Sequence, residues 1–466
     1  MNQSQAASAL GGLNNGFNGG LTNGLVPRLD EQLDLTGSEE AILGASLFVG
    51  GIVGAISGIV LNDTYGRRKT TILGEIVIVA FTICQLSFLN LNFIVASRTI
   101  TGFGFGICAV TKPLYVSELS EASVRGFAVA LFSVMFSVGN NLILLCETVL
   151  PSSTSDSSSI WSEDAWRVEL ALSALPAVGL LLVVTTSLPE SPVFLFSSRG
   201  KMKSDDDEES TGLLADKINK NNSASSEDVS TALNRALIVV LLLSFLHQFT
   251  MIAAYMGYTS DLLDTIFHVR ILVCTFTMFK QQQQITIQIP ESKSVNYAIA
   301  ISISHLVGVI ISLFTIDGLG RRPLLFVGLT VMMMSVISTL VLEFNVDWDD
   351  ETSSLGWTLE LILLCTYTIG FQMGPAPCYY VLVNELFPLQ HRSLGNGVGI
   401  TLIFLWCCLV MALYPVMNIT AVQILVWELV VLVSCTAYLW SGIPETKGVR
   451  IDQVTKMWSR FLRKED

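Results

Sequence analysis

The sequence is far more apolar than that of a soluble protein. It has 466 residues, of which 51% are hydrophobic and 14% are charged, and its mean hydropathy is +0.59. Soluble domains carry about 25% charged residues, so the composition excludes an ordinary soluble domain. The net charge of −13 comes mostly from connecting segments such as 205–209 and 347–351. We interpret these as solvated loops and expect no nucleic-acid partner.

Apolar runs of about 20 residues recur along the chain, and each is long enough to cross a bilayer core of roughly 30 Å. They predict an all-α membrane protein with twelve transmembrane helices in two six-helix halves. The first-half spans are 6–27, 41–61, 70–90, 91–116, 127–150 and 168–188. The second-half spans are 235–258, 296–316, 324–342, 357–383, 396–416 and 421–442.

The first span is unusual because glycines and four asparagines interrupt it. Either it lines a pore and its neighbours approach it closely, or the sequence lacks residues at its start. No basic region precedes it, so we expect no cleaved signal peptide. The glycines are Gly11, Gly12, Gly16, Gly19, Gly20 and Gly24.

Two connecting segments differ from the spans. Residues 190–234 are mostly polar, charged and rich in Ser and Asn, which predicts a flexible cytosolic linker between an N-terminal half (1–189) and a C-terminal half (235–466). Residues 268–288 show no periodicity and contain a glutamine run. We interpret this second segment as translated intron or as an insertion.

Charged motifs recur in the same order in both halves, which indicates a duplicated six-helix unit. Asp63-Thr-Tyr-Gly-Arg-Arg-Lys69 returns as Asp317-Gly-Leu-Gly-Arg-Arg-Pro323. Glu118 precedes Arg125 as Glu385 precedes Arg392, and Pro189-Glu-Ser191 returns as Pro444-Glu-Thr446.

These charges lie at the ends of predicted spans, where arginines can reach carboxylates of neighbouring helices. Gly66 permits the tight turn that this needs. We predict an interdomain latch that closes the cytosolic side when the cavity opens outward. The alternative is positive-inside anchoring without a gating role. The predicted gating residues are Asp63, Arg67, Arg68, Arg98, Glu118, Arg125, Glu190, Asp317, Arg321, Arg322, Glu385, Arg392 and Glu445.

Lys and Arg residues are concentrated in the even-numbered loops. This bias predicts that those loops, the linker and both termini face the cytosol. The plasma membrane is the default expectation, and a vacuolar or plastid membrane is the alternative.

The motifs together resemble the sugar porter family of the major facilitator superfamily. The first-half motifs are Arg98-Thr-Ile-Thr-Gly-Phe-Gly-Phe-Gly106, Pro113-Leu-Tyr-Val-Ser-Glu118, Arg125-Gly126 and Pro189-Glu-Ser-Pro192. The second-half motifs are Gly374-Pro-Ala-Pro377, Glu385-Leu-Phe-Pro388 with Arg392, and Pro444-Glu-Thr-Lys-Gly448. The resemblance implies a major facilitator fold, with a central cavity and alternating access.

The resemblance also implies where a solute binds, although this chain departs from the family there. Family members hold sugar hydroxyls with amides and a tryptophan, because buried hydroxyls need paired donors and acceptors. Only Gln248 matches, and the polar pair of the eleventh helix is replaced by Ile403-Phe404. The predicted substrate-binding residues are Gln248, His247, His305, Ser133, Tyr380, Gln372, Asn18 and Lys112.

Two of these residues bear on coupling and charge. Proton-driven members carry an Asp on the first helix where this chain has Asn18, and an amide cannot carry a proton, so facilitated diffusion is favoured. Lys112 lies inside the fourth span, where a lysine costs about 2.5–3.5 kcal/mol and usually faces a cavity or a partner. It either binds an anion in the translocation path or snorkels toward the cytosolic interface. Glu75, Glu147 and Glu428 raise a similar question, although each could lie near a helix end.

Three functions remain open at this point. The first is a facilitative transporter of a sugar, polyol or similar solute, acting in the bilayer as a monomer. The second is a transporter of an organic anion on the same scaffold, and the third is a transport-inactive nutrient sensor. The nine cysteines form no CxxC, and no metal spacing or phosphate loop stands in a suitable context. We therefore expect no enzyme activity, no metal and no cofactor.

Overall fold

The computed structural model describes residues 3–121, 124–149, 165–195, 226–260, 291–345, 354–388, 391–413, 421–449 and 453–463. The regular elements in these ranges are helices. They are α1 (Gln3–Leu33), α2 (Gly37–Tyr65), α3 (Arg67–Gln85), α4 (Leu91–Leu119), α5 (Arg125–Val149), α6 (Ala165–Thr186), α7 (Ser226–Ser260), α8 (Glu291–Leu319), α9 (Arg321–Asn345), α10 (Ser354–Met373), α11 (Pro375–Glu385), α12 (Arg392–Leu413), α13 (Ala421–Gly442) and α14 (Val454–Arg463).

The predicted all-α membrane fold is confirmed. Within the described ranges, nine helical stretches are long and apolar enough to cross a membrane. The helix α7 begins at Ser226, inside the segment predicted as linker. The 268–288 segment lies outside the described residues, as does most of that linker.

The tenth predicted span is broken into α10 and α11 at Gly374. Pro375 and Pro377 follow the break, and a proline removes a helical N–H and clashes with the preceding turn. Gly374 is also held tightly, since an added Cβ would lie 2.9 Å from the Cα of Gly328 in α9. The span is therefore broken at a point where it packs closely on α9.

The helices form two groups that meet along one seam. In the first group, α2 and α3 pack on α4, while α1 packs on α5 and α6. In the second, α10 packs on α8 and α9, and α7 packs on α13 and α12. The groups touch mainly where α2 meets α12 and where α5 meets α8. We call this contact surface the seam.

The helix α1 forms despite its glycines because they let α5 approach its backbone. A Cβ on Gly12 would lie 2.1 Å from the carbonyl oxygen of Phe132, and one on Gly16 would lie 2.0 Å from that of Phe136. No side chain fits there, so small residues set the distance between these helices. The close approach expected for this span is observed.

This packing predicts that Gly16→Ala destabilises the protein. The added methyl would overlap the Phe136 carbonyl and force α1 away from α5, at a cost of about 1–3 kcal/mol. We expect a lower thermal unfolding midpoint in detergent and less folded protein. Gly179→Ala in α6 is the matched control, because nothing lies within 4 Å of its Cβ position. Equal midpoints for the two variants would contradict this account of α1.

Candidate functional site

A buried arginine–glutamate pair lies at the same end of each half. In the N-terminal half, the Nε of Arg67 lies 2.9 Å from Oε2 of Glu118, and its Nη2 donates to Oε1 at 3.0 Å. In the C-terminal half, Arg321 donates from Nε and Nη2 to the two oxygens of Glu385, both at 3.1 Å. The Arg321–Glu385 pair is bidentate, the geometry in which a guanidinium holds a carboxylate most strongly, whereas Arg67 makes one hydrogen bond and one close ionic contact with Glu118. We call this end of the bundle the charged end.

A second carboxylate in each half closes the tight turn before the arginines. Glu190 accepts from the backbone N–H of Arg67 at 2.9 Å, and Glu445 accepts from that of Arg321 at 3.1 Å. Each thus occupies a helix N-terminus, where unpaired N–H groups and the helix dipole favour an anion. Gly66 turns with a φ of +87°, and a Cβ there would lie 2.6 Å from Glu190.

The remaining members of the two networks also correspond. The hydroxyl of Ser191 donates to Glu118 at 2.5 Å, and that of Thr446 donates to Glu385 at 2.6 Å. Arg68 donates to the Val184 carbonyl at the end of α6, as Arg322 does to Trp440 near the end of α13. The duplicated motifs therefore build the same network twice.

Arg67 reaches Glu118 as expected, but among the described residues the ion pairs of Arg67 and Arg321 each lie within one half, so these pairs do not themselves latch the two halves together. Arg67 stands on the first turn of α3 and Arg321 on that of α9, and each adjoins a helix of its own half. Other groups cross at the charged end. Asp317 accepts from the N–H of Phe127 at 2.7 Å, and Arg392 donates to Ser117 at 3.0 Å. Arg125 also crosses, donating to the Val449 carbonyl at 3.3 Å.

Two predicted gating residues contribute little to this network. Asp63 lies 3.9 Å from Arg67, and its side chain is 57% exposed. Arg98 is buried in α4, twenty residues before Glu118. At 1.5 Å per residue it stands about 30 Å from the charged end. Its position does not fit a role in closing that end.

Aromatic side chains gather around His247 of α7, beside the seam. The His247 ring centre is 5.2 Å from those of Phe371 and Tyr379, and 6.3 Å from that of Tyr380. Phe132 of α5 reaches Tyr380 from the other half, with ring centres 5.8 Å apart. The sequence analysis missed Tyr379, although it directly precedes Tyr380. We call these five residues the seam cluster.

The predicted amide of the seventh span lies next to this cluster. Gln248 is fully buried, accepts from Nδ1 of His247 through Oε1 at 3.1 Å, and donates to the Ile403 carbonyl of α12 at 3.3 Å. His305 of α8 contacts Gln372 of α10. The structure thus joins Gln248 to His247, and His305 to Gln372.

Three of the buried polar atoms that have no hydrogen-bond partner among the described residues belong to Tyr379 and to two predicted substrate-binding residues. They are Oγ of Ser133, Nδ1 of His305 and the hydroxyl oxygen of Tyr379. A buried polar group left unpaired costs about 1–3 kcal/mol. Such atoms are therefore candidates to bind a polar ligand.

Lys112 and Asn18 belong to a separate network inside the N-terminal half. The Lys112 Nζ lies 2.6 Å from Glu75 of α3 and donates to Asn15 at 2.9 Å. Asn14 donates to the same carboxylate at 2.8 Å, and Asn18 donates to Asn14. Lys112 is 3% exposed, so it does not snorkel. Glu75 lies in the middle of α3, not at its end.

The tight packing at the charged end suggests a substitution that should separate the two halves there. A Cβ on Gly126 would lie 2.2 Å from Asp317 and 2.5 Å from Arg321. Overpacking costs about 1–3 kcal/mol, enough to shift a two-state equilibrium about fivefold or more. Gly126→Ala should therefore open the charged end and speed thiol labelling of Ser393→Cys, a buried reporter at the seam.

The control for that experiment is Gly318→Ala, one residue after Asp317, where nothing lies within 4 Å of the Cβ position. It should leave the labelling rate unchanged. If Gly126→Ala labels no faster than Gly318→Ala, the contacts around Asp317 do not hold the charged end closed.

The sequence matches the family model described as sugar (and other) transporter over residues 5–458. It is 26% identical to the arabinose-proton symporter of Escherichia coli (strain K12), over 97% of this chain and 92% of that protein. It is also 26% identical to facilitated glucose transporter member 6 of human solute carrier family 2, over 96% of this chain and 89% of that protein.

The fold is similar to solved transporters. The xylose transporter XylE from E. coli, bound to 6-bromo-6-deoxy-D-glucose, has a TM-score of 0.76 at 20% identity and covers 98% of both chains. The family match extends over almost the whole sequence, and the helices have the fold of that transporter. The chain therefore belongs to the sugar (and other) transporter family.

Proposed function

We propose that the protein moves a small hydroxylated solute, a sugar or polyol, across a membrane by alternating access. The observation that carries this proposal is the seam cluster with its unpaired polar atoms. Aromatic faces stack on a sugar ring, while Ser133, His305 and Tyr379 offer hydrogen bonds to hydroxyls. The names of the two relatives, which refer to arabinose and glucose, support the same solute class.

The charged end would act as the gate on one side of this site. Its crossing contacts come from Arg125, Asp317 and Arg392, while the ion pairs keep each half rigid. Arg392 is 2% exposed, yet its Nε and Nη1 have no partner among the described residues. A closed state that leaves donors unpaired is only weakly favoured, which suits a gate that must reopen. We propose that this end, with both termini, faces the cytosol.

We further propose facilitated diffusion as the transport mode. Asn18 stands where proton-driven members of the family carry an Asp, and its amide group donates to Asn14 at 2.8 Å. An amide cannot take up a proton in the cycle. The relatives include a proton symporter and a facilitated transporter, so their names favour neither mode.

Transport of an organic anion is the second candidate. Two histidines near the seam, in place of amides, favour it. The pairing of Lys112 with Glu75 weighs against it, because the cation is already neutralised. A transport-inactive sensor is less consistent with two complete charge networks, which a protein that only binds its ligand has no need to keep.

Uptake into proteoliposomes tests the proposal directly. The panel contains hexoses, pentoses, polyols and small organic anions, each measured with and without a pH gradient. We expect saturable uptake of a sugar or polyol that is indifferent to the gradient. Gradient-driven accumulation would contradict facilitated diffusion, and anion flux alone would favour the second candidate. Folded protein without any flux would favour the sensor.

The hydroxyl of Tyr379 gives a sharper test of the site. Because this hydroxyl has no partner among the described residues, Tyr379→Phe should leave stability unchanged or raise it, and should raise KM about three- to tenfold, as one lost hydrogen bond requires. Tyr367→Phe is the control, since that hydroxyl donates to the Thr250 carbonyl and its loss should lower stability. A Tyr379→Phe variant with native KM would remove this hydroxyl from the site.

A further inference from the structure

The Glu75–Lys112 pair is an expensive feature for the interior of a membrane protein. Both side chains are almost fully buried, at 0% and 3% exposure, and they join α3 to α4. Desolvating two charges can cost more than their attraction returns, and an apolar pair of similar size is often as stable. Stability alone is therefore a weak reason for the pair.

The second half has no such pair at the equivalent positions. Glu75 lies 8 residues after Arg67, and the residue 8 after Arg321 is Leu329. Lys112 lies 6 residues before Glu118, and the residue 6 before Glu385 is Tyr379. Tyr379 belongs to the seam cluster. The register position of Lys112 is thus one that, in the other half, stands beside the proposed solute site.

The pair determines the orientation of two amides on α1. A carboxylate only accepts hydrogen bonds, so Asn14 must direct its Nδ2 to Glu75, at 2.8 Å. Its Oδ1 is then left to accept from Nδ2 of Asn18, also at 2.8 Å. The same Nδ2 reaches the Asn14 backbone carbonyl at 2.9 Å. Both donor contacts of the Asn18 amide are therefore made within α1.

The remaining hydrogen-bonding group of the Asn18 side chain is its acceptor, Oδ1. Among the described residues, no donor contacts its Oδ1. Lys112 also binds Oδ1 of Asn15 at 2.9 Å, so the cation and the carboxylate each fix one asparagine. The order of contacts is Lys112, Glu75, Asn14 and Asn18, and it runs from a charge on α4 to a free oxygen on α1.

We propose that Glu75 and Lys112 are positioning residues that hold the Asn18 amide with its oxygen available to a hydroxyl donor of the solute. This role rests on the proposed function, since it assigns Asn18 to the solute path. The ion pair would then be a specificity determinant. It selects a solute that carries a donor at one position, and it disfavours an acceptor there.

Exchanging the charges tests the orientation without any solute. In Glu75→Lys/Lys112→Glu the ion pair is kept, but an ammonium at position 75 only donates. Asn14 must then turn its Oδ1 to that ammonium and its Nδ2 to Asn18. Adding Asn18→Asp supplies only acceptors at position 18. In the native background the carboxylate oxygens at position 18 face another acceptor, Oδ1 of Asn14, and repel it. In the exchanged background they face the donor Nδ2 of Asn14 and accept from it.

We therefore expect Asn18→Asp to lower the thermal unfolding midpoint at pH 8 by more than about 3 °C in the native background. It should lower the midpoint little or not at all in the exchanged background. Asn18→Ala is the matched control, and its effect should be equal in both. An equal effect of Asn18→Asp in the two backgrounds would overturn the proposed orientation.

Transport of D-glucose, D-xylose and their deoxyfluoro analogues tests the consequence for specificity. Fluorine removes the donor of one hydroxyl, and at one ring position this should raise KM about three- to tenfold. Asn18→Ala and Glu75→Leu should each abolish that penalty at the same position. The double variant should be no worse than Asn18→Ala alone, since both changes remove one interaction.

Additive effects of Glu75→Leu and Asn18→Ala on KM would show that Glu75 acts only on packing, and would overturn the positioning role. No uptake of either sugar by the native protein would overturn the solute-facing role together with the proposed sugar specificity. The Asn18→Asp measurement would still decide the orientation in that case.

Discussion

The rest of the structure depends on the buried ion pairs Arg67–Glu118 and Arg321–Glu385. Each ties the start of one helix to the end of another within a half, and each is buried with its lone pairs satisfied by a neighbouring hydroxyl. A buried pair that loses one partner costs about 3–5 kcal/mol, so each half resists deformation at this end. Movement is left to the weaker contacts across the seam, which is the division that alternating access requires.

Helix packing obeys a second constraint, because the bilayer offers little hydrophobic drive for helices to associate. Helices in the bilayer associate instead through van der Waals contact at close approach. Glycines bring α1 against α5, and Gly50 and Gly54 bring α2 against α4, with ideal Cβ positions 1.9–2.0 Å from carbonyl oxygens of α4. Asn14 and Asn15 of the same helix have charged partners, Glu75 and Lys112. One helix thus uses both backbone contact and polar contact.

The sequence predicted the fold well because the signals were long or repeated. Apolar runs predicted helices, and the two copies of Asp-x-x-Gly-Arg-Arg predicted matching turns. It predicted partners poorly, since pairing depends on which helices adjoin. The charged motifs were expected to form an interdomain latch, but the ion pairs of Arg67 and Arg321 lie within one half each, because α3 and α9 lie against helices of their own halves. Glu75 and Lys112 are 37 residues apart on two helices, and their spacing does not reveal that the two faces meet.

The two halves have matching charge networks at the charged end but differ inside, and this difference bears on how the protein divides its work. The C-terminal half contributes His247, Tyr379 and Tyr380 to the seam cluster, whereas the N-terminal half contributes Phe132. In the N-terminal half, Asn14 and Asn15 are turned inward, onto Glu75 and Lys112. In a duplicated protein, one half can make most of the contacts with the solute while the other half moves relative to it. The internal ion pair lets the N-terminal half keep a defined polar interior while its seam face stays largely apolar, as Phe105 and Phe48 against Phe404 illustrate.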